Sequence, residues 1–244
     1  ETSNDRRNGT YIVKLYRSDL GRWERVLIDD YFPVRDGDWT PLFACSTEAE
    51  MWVMALEKAY AKWCLRGRPS REAPLGYSVL NGGQIADALV ALTGGAAEEI
   101  DLTLLSGMEL NELWGRLVRY KEAGFLMGGA SPSGIDSASE AVDGIVQGHA
   151  YSLLDLRTST DFSSGAAVQQ RMLKIRNPWG VNVVVDSSVA LPWSPYSDLW
   201  QGPGAECVDF LCFSSLSISI SSPPHHCSPP FFLSFLLSLF TVDS

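Results

Sequence analysis

Two strand-like segments on either side of a polar loop constrain the fold of this sequence more than any other feature. Residues 150–156 and 171–176 are rich in apolar side chains, and Gly165 lies in the polar segment between them. Along the second segment, Leu173 and Ile175 fall on one face, and the residues between them fall on the other. This alternation predicts an antiparallel β-hairpin with one buried face.

The apolar residues also predict a register for this hairpin. If Leu153 faces Leu173, then Tyr151 faces Ile175. The same register places His149 directly opposite Asn177. The Cβ atoms of residues paired across two strands are about 5 Å apart, which is within reach of a side-chain hydrogen bond. The hairpin is therefore expected to bring an imidazole and a carboxamide together.

A histidine beside an asparagine has a specific chemical use. The amide oxygen of Asn177 can accept a hydrogen bond from one ring nitrogen of His149, which fixes the tautomer, while the other nitrogen deprotonates a nucleophile. The alternative is that His149 is an ordinary histidine packed at the edge of the core. Both interpretations stay open on the pattern alone.

Upstream of this hairpin, the sequence predicts a second hairpin and three helices that serve as a scaffold. Segments 11–16 and 23–28 flank a glycine-containing turn. Thr47 and Glu50 form a predicted capping box before a helix whose buried stripe runs from Trp52 to Trp63. Two further helices are predicted, one over 84–92 that is stopped by Gly94, and one from the Ser106–Glu109 capping box to Gly124.

The composition predicts a folded chain with an acidic surface. Of the 244 residues 45% are hydrophobic, which is enough for a sizeable core, and the 19 basic and 29 acidic residues give a net charge of −10. This charge argues against nucleic acid as a partner, and no window has the roughly 18 apolar residues of a membrane span. The five cysteines form no CxxC pair, so we expect reduced thiols and a cytoplasmic location.

Three stretches differ in character and suggest the domain organisation. Residues 1–145 mix strands and helices, 146–200 are expected to be β-rich, and 205–244 are biased in composition. The Gly- and Ser-rich stretch 128–147 predicts a long surface loop. We therefore expect one domain over 1–204 and a low-complexity tail over 205–244.

The segments around the predicted pair, Gly148-His-Ala-Tyr-Ser152 and Arg176-Asn-Pro-Trp-Gly180, resemble the signature segments of calpain-type cysteine proteases. Taken with the upstream matches, the resemblance covers about residues 11–200 in the order of the family. The upstream matches are Ile28-Asp-Asp30 followed by Pro33, Leu56-Glu-Lys-Ala-Tyr-Ala-Lys62, Tyr77-Leu80-Gly82-Gly83 and Leu92-Thr-Gly-Gly95.

This resemblance implies an α+β fold that forms half of a papain-like cysteine protease. The half would be the His/Asn subdomain, an antiparallel β-sandwich or barrel with several peripheral helices. By the family motif, His149 is the general base and acid, Asn177 orients it, and Trp179 shields the bond between them. The implied activity is a calcium-dependent endopeptidase that acts on intracellular proteins.

The nucleophile of the family is missing from this chain. No Gln-Gly-x-x-Gly-Asp-Cys-Trp segment occurs, and the sequence begins at Glu1, which indicates a fragment. Cys45 precedes a predicted helix N-terminus, but its flanking residues do not match the family motif. We therefore expect the chain to be inactive alone and to need the Cys-bearing subdomain. The alternatives are a non-catalytic calpain-like protein-binding module and an inert, truncated fragment.

Calcium is implied by the family, but the expected ligands are not present in this sequence. Pro195 stands where the family has an Asp, and the segment 181–185 lacks the family Glu. No metal-binding residues are therefore predicted, and the pair Asp29 and Asp30 is expected to form a solvated turn. The tail over 205–244 matches nothing in the family, and we expect it to be a translated non-coding or mis-joined segment.

Overall fold

The computed structural model describes residues 8–45, 51–66, 76–131, 134, 145–161, 168–178, 210–212 and 217–221. These residues form three α-helices, two short 3₁₀ turns and two antiparallel sheets. The predicted α+β class is therefore confirmed. In chain order the elements are β1 (Thr10–Arg17), β2 (Arg22–Asp29), α1 (Trp52–Cys64), a 3₁₀ turn (Gly76–Leu80), α2 (Ile85–Thr93), β3 (Ala97–Asp101), a 3₁₀ turn (Leu102–Leu104), α3 (Gly107–Glu122), β4 (Leu126–Ala130), β5 (Ala150–Asp161), β6 (Val168–Arg176), β7 (Phe210–Cys212) and β8 (Ser217–Ser221).

The N-terminal hairpin forms as predicted. Strands β1 and β2 pair in register from Thr10 with Asp29 to Arg17 with Arg22. Gly21 takes a φ of +60° in the turn, a conformation that a residue without a Cβ adopts at little cost. The Lys58 ammonium of α1 pairs with the Asp29 carboxylate, so the predicted solvated turn also ties the hairpin to the helix.

Helix α1 corrects two details of the sequence-based prediction. Its N-cap is Met51, which makes no side-chain hydrogen bond, so the helix begins later than predicted. The predicted capping box of Thr47 and Glu50 lies outside the described residues. Trp52 is half exposed instead of buried, because the buried face is centred on Ala55, Ala59 and Tyr60. Trp52 lies in the first turn of the helix, at the edge of this buried face.

The ends of α2 and α3 follow the predicted signals. Gly94 ends α2 with a φ of +70°, and its N–H donates to the Val90 carbonyl over 2.9 Å. At the start of α3, the Ser106 N–H donates to Glu109 Oε2 over 2.8 Å, and the Glu109 N–H donates to Ser106 Oγ over 3.4 Å. The predicted capping box of α3 is therefore confirmed.

The larger sheet has six strands in the order β3-β8-β4-β5-β6-β7, and all neighbouring strands are antiparallel. Within the described ranges the sheet is open, with β3 and β7 at its edges, and does not close into a barrel. Among the described residues, none of the helices has the length and hydropathy of a membrane-spanning segment.

The predicted loop over 128–147 is wrong at its start, because Leu126–Ala130 form strand β4. Glycines usually indicate a loop, but here they allow close packing. A Cβ at Gly128 would lie 2.9 Å from Cγ2 of Ile85, so only glycine lets α2 approach the sheet this closely. Residues 132–133 and 135–144 lie outside the described ranges.

Strands β5 and β6 pair as an antiparallel hairpin, but the predicted register is wrong. Leu153 pairs with Ile175 rather than with Leu173, and Leu156 pairs with Leu173. The shift between these pairs is a β-bulge that leaves Leu154 without a partner and 41% exposed. The extra residue turns both Leu153 and Leu156 into the core.

Two hydrophobic clusters form the core of the described part. The first joins the N-terminal hairpin to α1 and α2, and the second lies between α3 and one face of the larger sheet. Members of the first include Leu15, Val26, Ala59, Leu89 and Leu126, and members of the second include Leu117, Met127, Leu153, Leu173 and Ile220.

Part of the predicted low-complexity tail lies in the larger sheet. Strand β8 pairs with β3 on one side and with β4 on the other, over five residues in each case. Ile220 is 2% exposed and belongs to the second cluster. The origin of the tail stays a prediction, and its remaining residues, His225, His226 and Cys227 among them, lie outside the described ranges.

Candidate active site

The structure brings the two predicted residues into contact at one end of the β5–β6 hairpin. His149 immediately precedes β5, and Asn177 immediately follows β6. Nε2 of His149 lies 3.0 Å from Oδ1 of Asn177, which is a normal hydrogen-bond distance. The histidine is 2% exposed, whereas the asparagine is half buried.

The chemistry of the amide fixes the protonation of the ring. A carboxamide oxygen can only accept a hydrogen bond, so Nε2 of His149 must carry the hydrogen that it donates to Asn177. In the neutral imidazole, the lone pair is then on Nδ1. This tautomer is the one that can act as a base through Nδ1 while Asn177 holds the ring.

The two side chains meet even though the register differs from the predicted one. At this end of the hairpin Ser152 pairs with Arg176, and the same register continued outward places Asn177 beside Tyr151. The displacement from the predicted register is two residues, and because side chains alternate with a period of two, it leaves His149 and Asn177 on the same face. They are diagonal neighbours, a separation that two polar side chains of this length can bridge.

Tyr151 forms a wall beside the imidazole. Its ring lies edge-on to that of His149, with 4.9 Å between the ring centres and 80° between the planes. The Tyr151 hydroxyl accepts a hydrogen bond from the Val146 N–H over 2.8 Å. The aromatic ring is therefore fixed at its far end and restricts how the imidazole can tilt.

The backbone before the histidine requires a glycine. Gly148 has a φ of +65°, and a Cβ at this position would lie 2.8 Å from the carbonyl oxygen of Gly134. The Ser131 hydroxyl closes the turn, since it accepts from the His149 N–H over 2.9 Å and donates to the Val146 carbonyl over 2.7 Å. The Gly-His pair noted in the sequence therefore has a structural cause.

Two further residues considered in the sequence analysis are Trp179 and Cys45, and the structure describes only the second. Trp179 lies outside the described residues, so its shielding role stays a prediction. Cys45 is exposed and follows Ala44, whose N–H donates to the Glu57 carboxylate of α1. The residue before Cys45 is therefore hydrogen-bonded to α1, whereas His149 directly precedes β5 of the larger sheet.

Glu57 is a buried carboxylate that the sequence analysis did not single out. It is 3% exposed, and its two oxygens lie 3.4 and 3.2 Å from the Ala44 nitrogen. Burial raises the pKa of Glu57 to about 7, and the Ala44 hydrogen bond opposes this only in part. A signal was present in the sequence, because Glu57 shares the buried helical face with Val53 and Tyr60.

The chain is similar to known proteins over the segments that form the described hairpins, the helices and the His149–Asn177 pair. Residues 1–206 match the model of the calpain family of cysteine proteases. The calpain-type cysteine protease DEK1 of Arabidopsis thaliana is 42% identical over 184 residues, which cover 74% of this chain and 7% of that protein. Calpain-5 of Mus musculus is 32% identical over 195 residues, covering 75% of this chain and 28% of the relative. Calpain-12 of Homo sapiens is 34% identical over 204 residues, which cover 83% of this chain and 24% of that protein.

The chain spans less than a third of the length of each of these relatives. The similarity nevertheless covers the described hairpins, the three helices and the His149–Asn177 pair, and it confirms the resemblance found in the sequence. The chain belongs to the calpain family of cysteine proteases, a family of thiol-dependent hydrolases.

Proposed function

We propose that this chain supplies the His–Asn half of the catalytic machinery of a calpain-type cysteine endopeptidase. In this proposal His149 is the general base and acid, and Asn177 orients it. The observation that carries the proposal is the 3.0 Å contact between Nε2 of His149 and Oδ1 of Asn177, made by a histidine that is 2% exposed. The chain forms the corresponding half of a papain-like arrangement.

In the proposed reaction, Nδ1 of His149 takes the proton of a cysteine thiol, and the thiolate attacks the carbonyl carbon of the scissile peptide bond. The imidazolium then gives this proton to the leaving amine, and an acyl-enzyme thioester remains. Water, deprotonated by the same nitrogen, hydrolyses the thioester and restores the thiol. Throughout the cycle, Nε2 keeps its hydrogen on Asn177, so the ring does not rotate away from the reacting atoms.

The nucleophile of this reaction comes from a Cys-bearing subdomain. The family segment that carries the cysteine does not occur in this sequence, so we propose that the chain alone does not cleave peptides. Trp179, next to the Asn177–Pro178 pair, would shield the His–Asn bond from water. The missing cysteine also favours a second candidate function, a calpain-like module that binds proteins without cleaving them.

Calcium is not assigned to any residue in this proposal. In the described ranges, no group of three or more His, Cys, Asp or Glu side chains is placed to hold a metal ion. The segment 181–200, where the family pattern would supply oxygen ligands, lies outside these ranges and carries Pro195 in place of an Asp. Calcium is therefore implied by the family alone, and no step of the proposed mechanism depends on it.

The partners in this proposal are protein substrates and the Cys-bearing subdomain. The net charge of −10 argues against nucleic acid as a partner. A cytoplasmic setting is part of the proposal because Cys45 and Cys64 are thiols and not halves of a disulfide.

Reconstitution with a Cys-bearing subdomain tests the proposed function. The chain is mixed with a separately expressed calpain Cys subdomain, and cleavage of a fluorogenic casein is followed. We expect cleavage by the mixture, none by either part, and none after His149→Ala; Asn177→Ala should lower kcat by roughly 10²- to 10⁴-fold. His226→Ala, in the tail, is the matched histidine control and should leave kcat unchanged. A folded mixture without activity would favour the binding module.

A further inference from the structure

A buried serine on the neighbouring strand contacts the backbone of His149 on both sides. Ser131 follows β4 directly and is 8% exposed. Its N–H donates to the His149 carbonyl over 2.9 Å, and its Oγ accepts from the His149 N–H, also over 2.9 Å. One residue therefore satisfies both backbone polar groups of the histidine.

The same hydroxyl also fixes the chain that leads into His149. The Ser131 hydroxyl donates to the Val146 carbonyl over 2.7 Å, and the His149 carbonyl lies 3.2 Å from the same oxygen. The Val146 N–H donates in turn to the hydroxyl of Tyr151. The turn over 146–149 is thus closed by one hydroxyl that acts as donor and acceptor at once.

The imidazole of His149 is consequently held from two directions. Its backbone is fixed by Ser131, and its ring is fixed by Asn177 at Nε2 and by the edge-on ring of Tyr151. Loss of the Ser131 hydroxyl would leave the His149 N–H and the Val146 carbonyl without this partner in a buried place. The turn would then relax, and the ring would move relative to Asn177.

We propose that Ser131 is a positioning residue that sets the imidazole of His149 against Asn177 by holding the histidine backbone. The proposal rests on the proposed function, because the geometry matters for catalysis only if His149 is the general base. Ser131 does not touch the reacting atoms and acts through the 146–149 turn. Threonine at this position keeps the hydroxyl and should preserve the effect.

The test reads the ring directly and needs no cysteine. In the full chain labelled with ¹⁵N-histidine, the ring nitrogen shifts of His149 report its tautomer, and they are assigned by their loss in His149→Gln. We expect one tautomer, protonated at Nε2, in the wild type and in Ser131→Thr. Ser131→Ala should give a mixture of the two tautomers. If it fails to fold, Ser131→Cys is measured instead and should give the same mixture, because a thiol is a weak donor.

Thr93 provides a matched control for a general loss of stability. It is 6% exposed, and its hydroxyl likewise donates to the Leu89 carbonyl over 2.7 Å and accepts from the Gly95 N–H over 3.0 Å. Thr93→Ala should destabilise the chain without changing the tautomer of His149. The proposal is overturned if folded Ser131→Ala keeps the wild-type shifts, or if Thr93→Ala changes them equally.

Failure of the proposal and failure of the proposed function give different results. If Asn177→Ala leaves the tautomer of His149 unchanged, the His–Asn pair does not control the ring, and the proposed function loses its support. If Asn177→Ala changes the tautomer but Ser131→Ala does not, only the positioning role is wrong. In the reconstituted protease, Ser131→Ala should lower kcat by roughly 10- to 100-fold at unchanged KM.

Discussion

The carboxyl group of Glu57 shows how one residue can make stability depend on pH. The pKa of this group is raised from 4.5 to about 7 because the side chain is buried with a backbone N–H as its main partner. The folded state therefore binds the proton more tightly than the unfolded state does. Between these two pKa values, a rise in pH favours unfolding, since only the unfolded chain loses the proton readily.

Glu57→Gln should remove this pH dependence. We expect the free energy of unfolding of the wild type to fall by roughly 3 kcal/mol as the pH rises from 4.5 to about 7, and to level off above that range. The variant should lack this contribution. The difference in unfolding free energy between variant and wild type should therefore change as the pH rises from 4.5 to about 7. Urea denaturation at half-unit pH steps measures it.

Glu112→Gln is the control for this prediction, because Glu112 is an exposed carboxylate on α3. It should leave the shape of the pH profile unchanged. An equal slope in the wild type and Glu57→Gln would show that burial does not raise the pKa of the Glu57 carboxyl above its ordinary value.

At the scale of single residues, the sequence predicted the His149–Asn177 contact but not the raised pKa of the Glu57 carboxyl. The contact was predictable because alternation along a strand preserves the face of each residue even when the register is displaced by two. Helical spacing places Glu57 on the buried face of α1, but its hydrogen bond from the Ala44 N–H joins segments thirteen residues apart and has no local signal.

Among the secondary-structure elements, the contact of α2 with β4 depends on a glycine. Gly128→Ala would place a Cβ 2.9 Å from Cγ2 of Ile85 and 3.4 Å from the Tyr151 carbonyl oxygen. We expect this variant to lose about 1–3 kcal/mol of unfolding free energy, because the helix and the strand cannot both keep their positions. Thermal and urea denaturation measure the loss.

Gly115→Ala is the contrasting substitution, since Gly115 lies within α3 and a Cβ there would meet only a guanidinium nitrogen of Arg119 at 3.6 Å. This variant should gain up to about 1 kcal/mol from helix propensity. If the clash at Gly128 is the cause, Ile85→Ala should reduce the cost of Gly128→Ala in a double-mutant cycle. Additive effects of the two substitutions would contradict it.

The predictability of the elements followed the strength of their local signals. The N-terminal hairpin, the C-terminal end of α2 and the N-terminal end of α3 carry turn or capping residues and were predicted correctly. No glycine or other turn residue in the sequence indicates the bulge at Leu154. The bulge follows from the burial of both Leu153 and Leu156 on one face of the sheet. It exists because both side chains reach the second cluster, a tertiary requirement.

For the molecule as a whole, β8 joins parts of the sheet that are distant in sequence. Ile220→Ala should destabilise the protein by roughly 2–5 kcal/mol, because its side chain is 2% exposed and packs in the second cluster between β3 and β4. Leu154→Ala is the control on the same sheet, since Leu154 is 41% exposed and its loss should cost much less. Equal midpoints of urea unfolding for wild type and Ile220→Ala would contradict a structural role of β8.

The position of β8 could not be predicted from the sequence. Its alternating Ser and Ile residues are typical of a strand, but nothing local specifies which strands it joins. Its neighbours β3 and β4 lie about 120 and about 90 residues upstream. The family, in contrast, was predicted correctly, because several short motifs in the right order identify it without knowledge of the tertiary contacts.

The order of the strands in the sheet determines when they can pair during synthesis on the ribosome. β3 and β4 emerge early, yet the five-residue strand that joins them appears only after β5, β6 and β7 have been made. Until then the nascent chain exposes two unpaired strand edges, which are sites where another chain can add. Chaperone demand should therefore peak late in translation and end when residues 217–221 become available to close the gap.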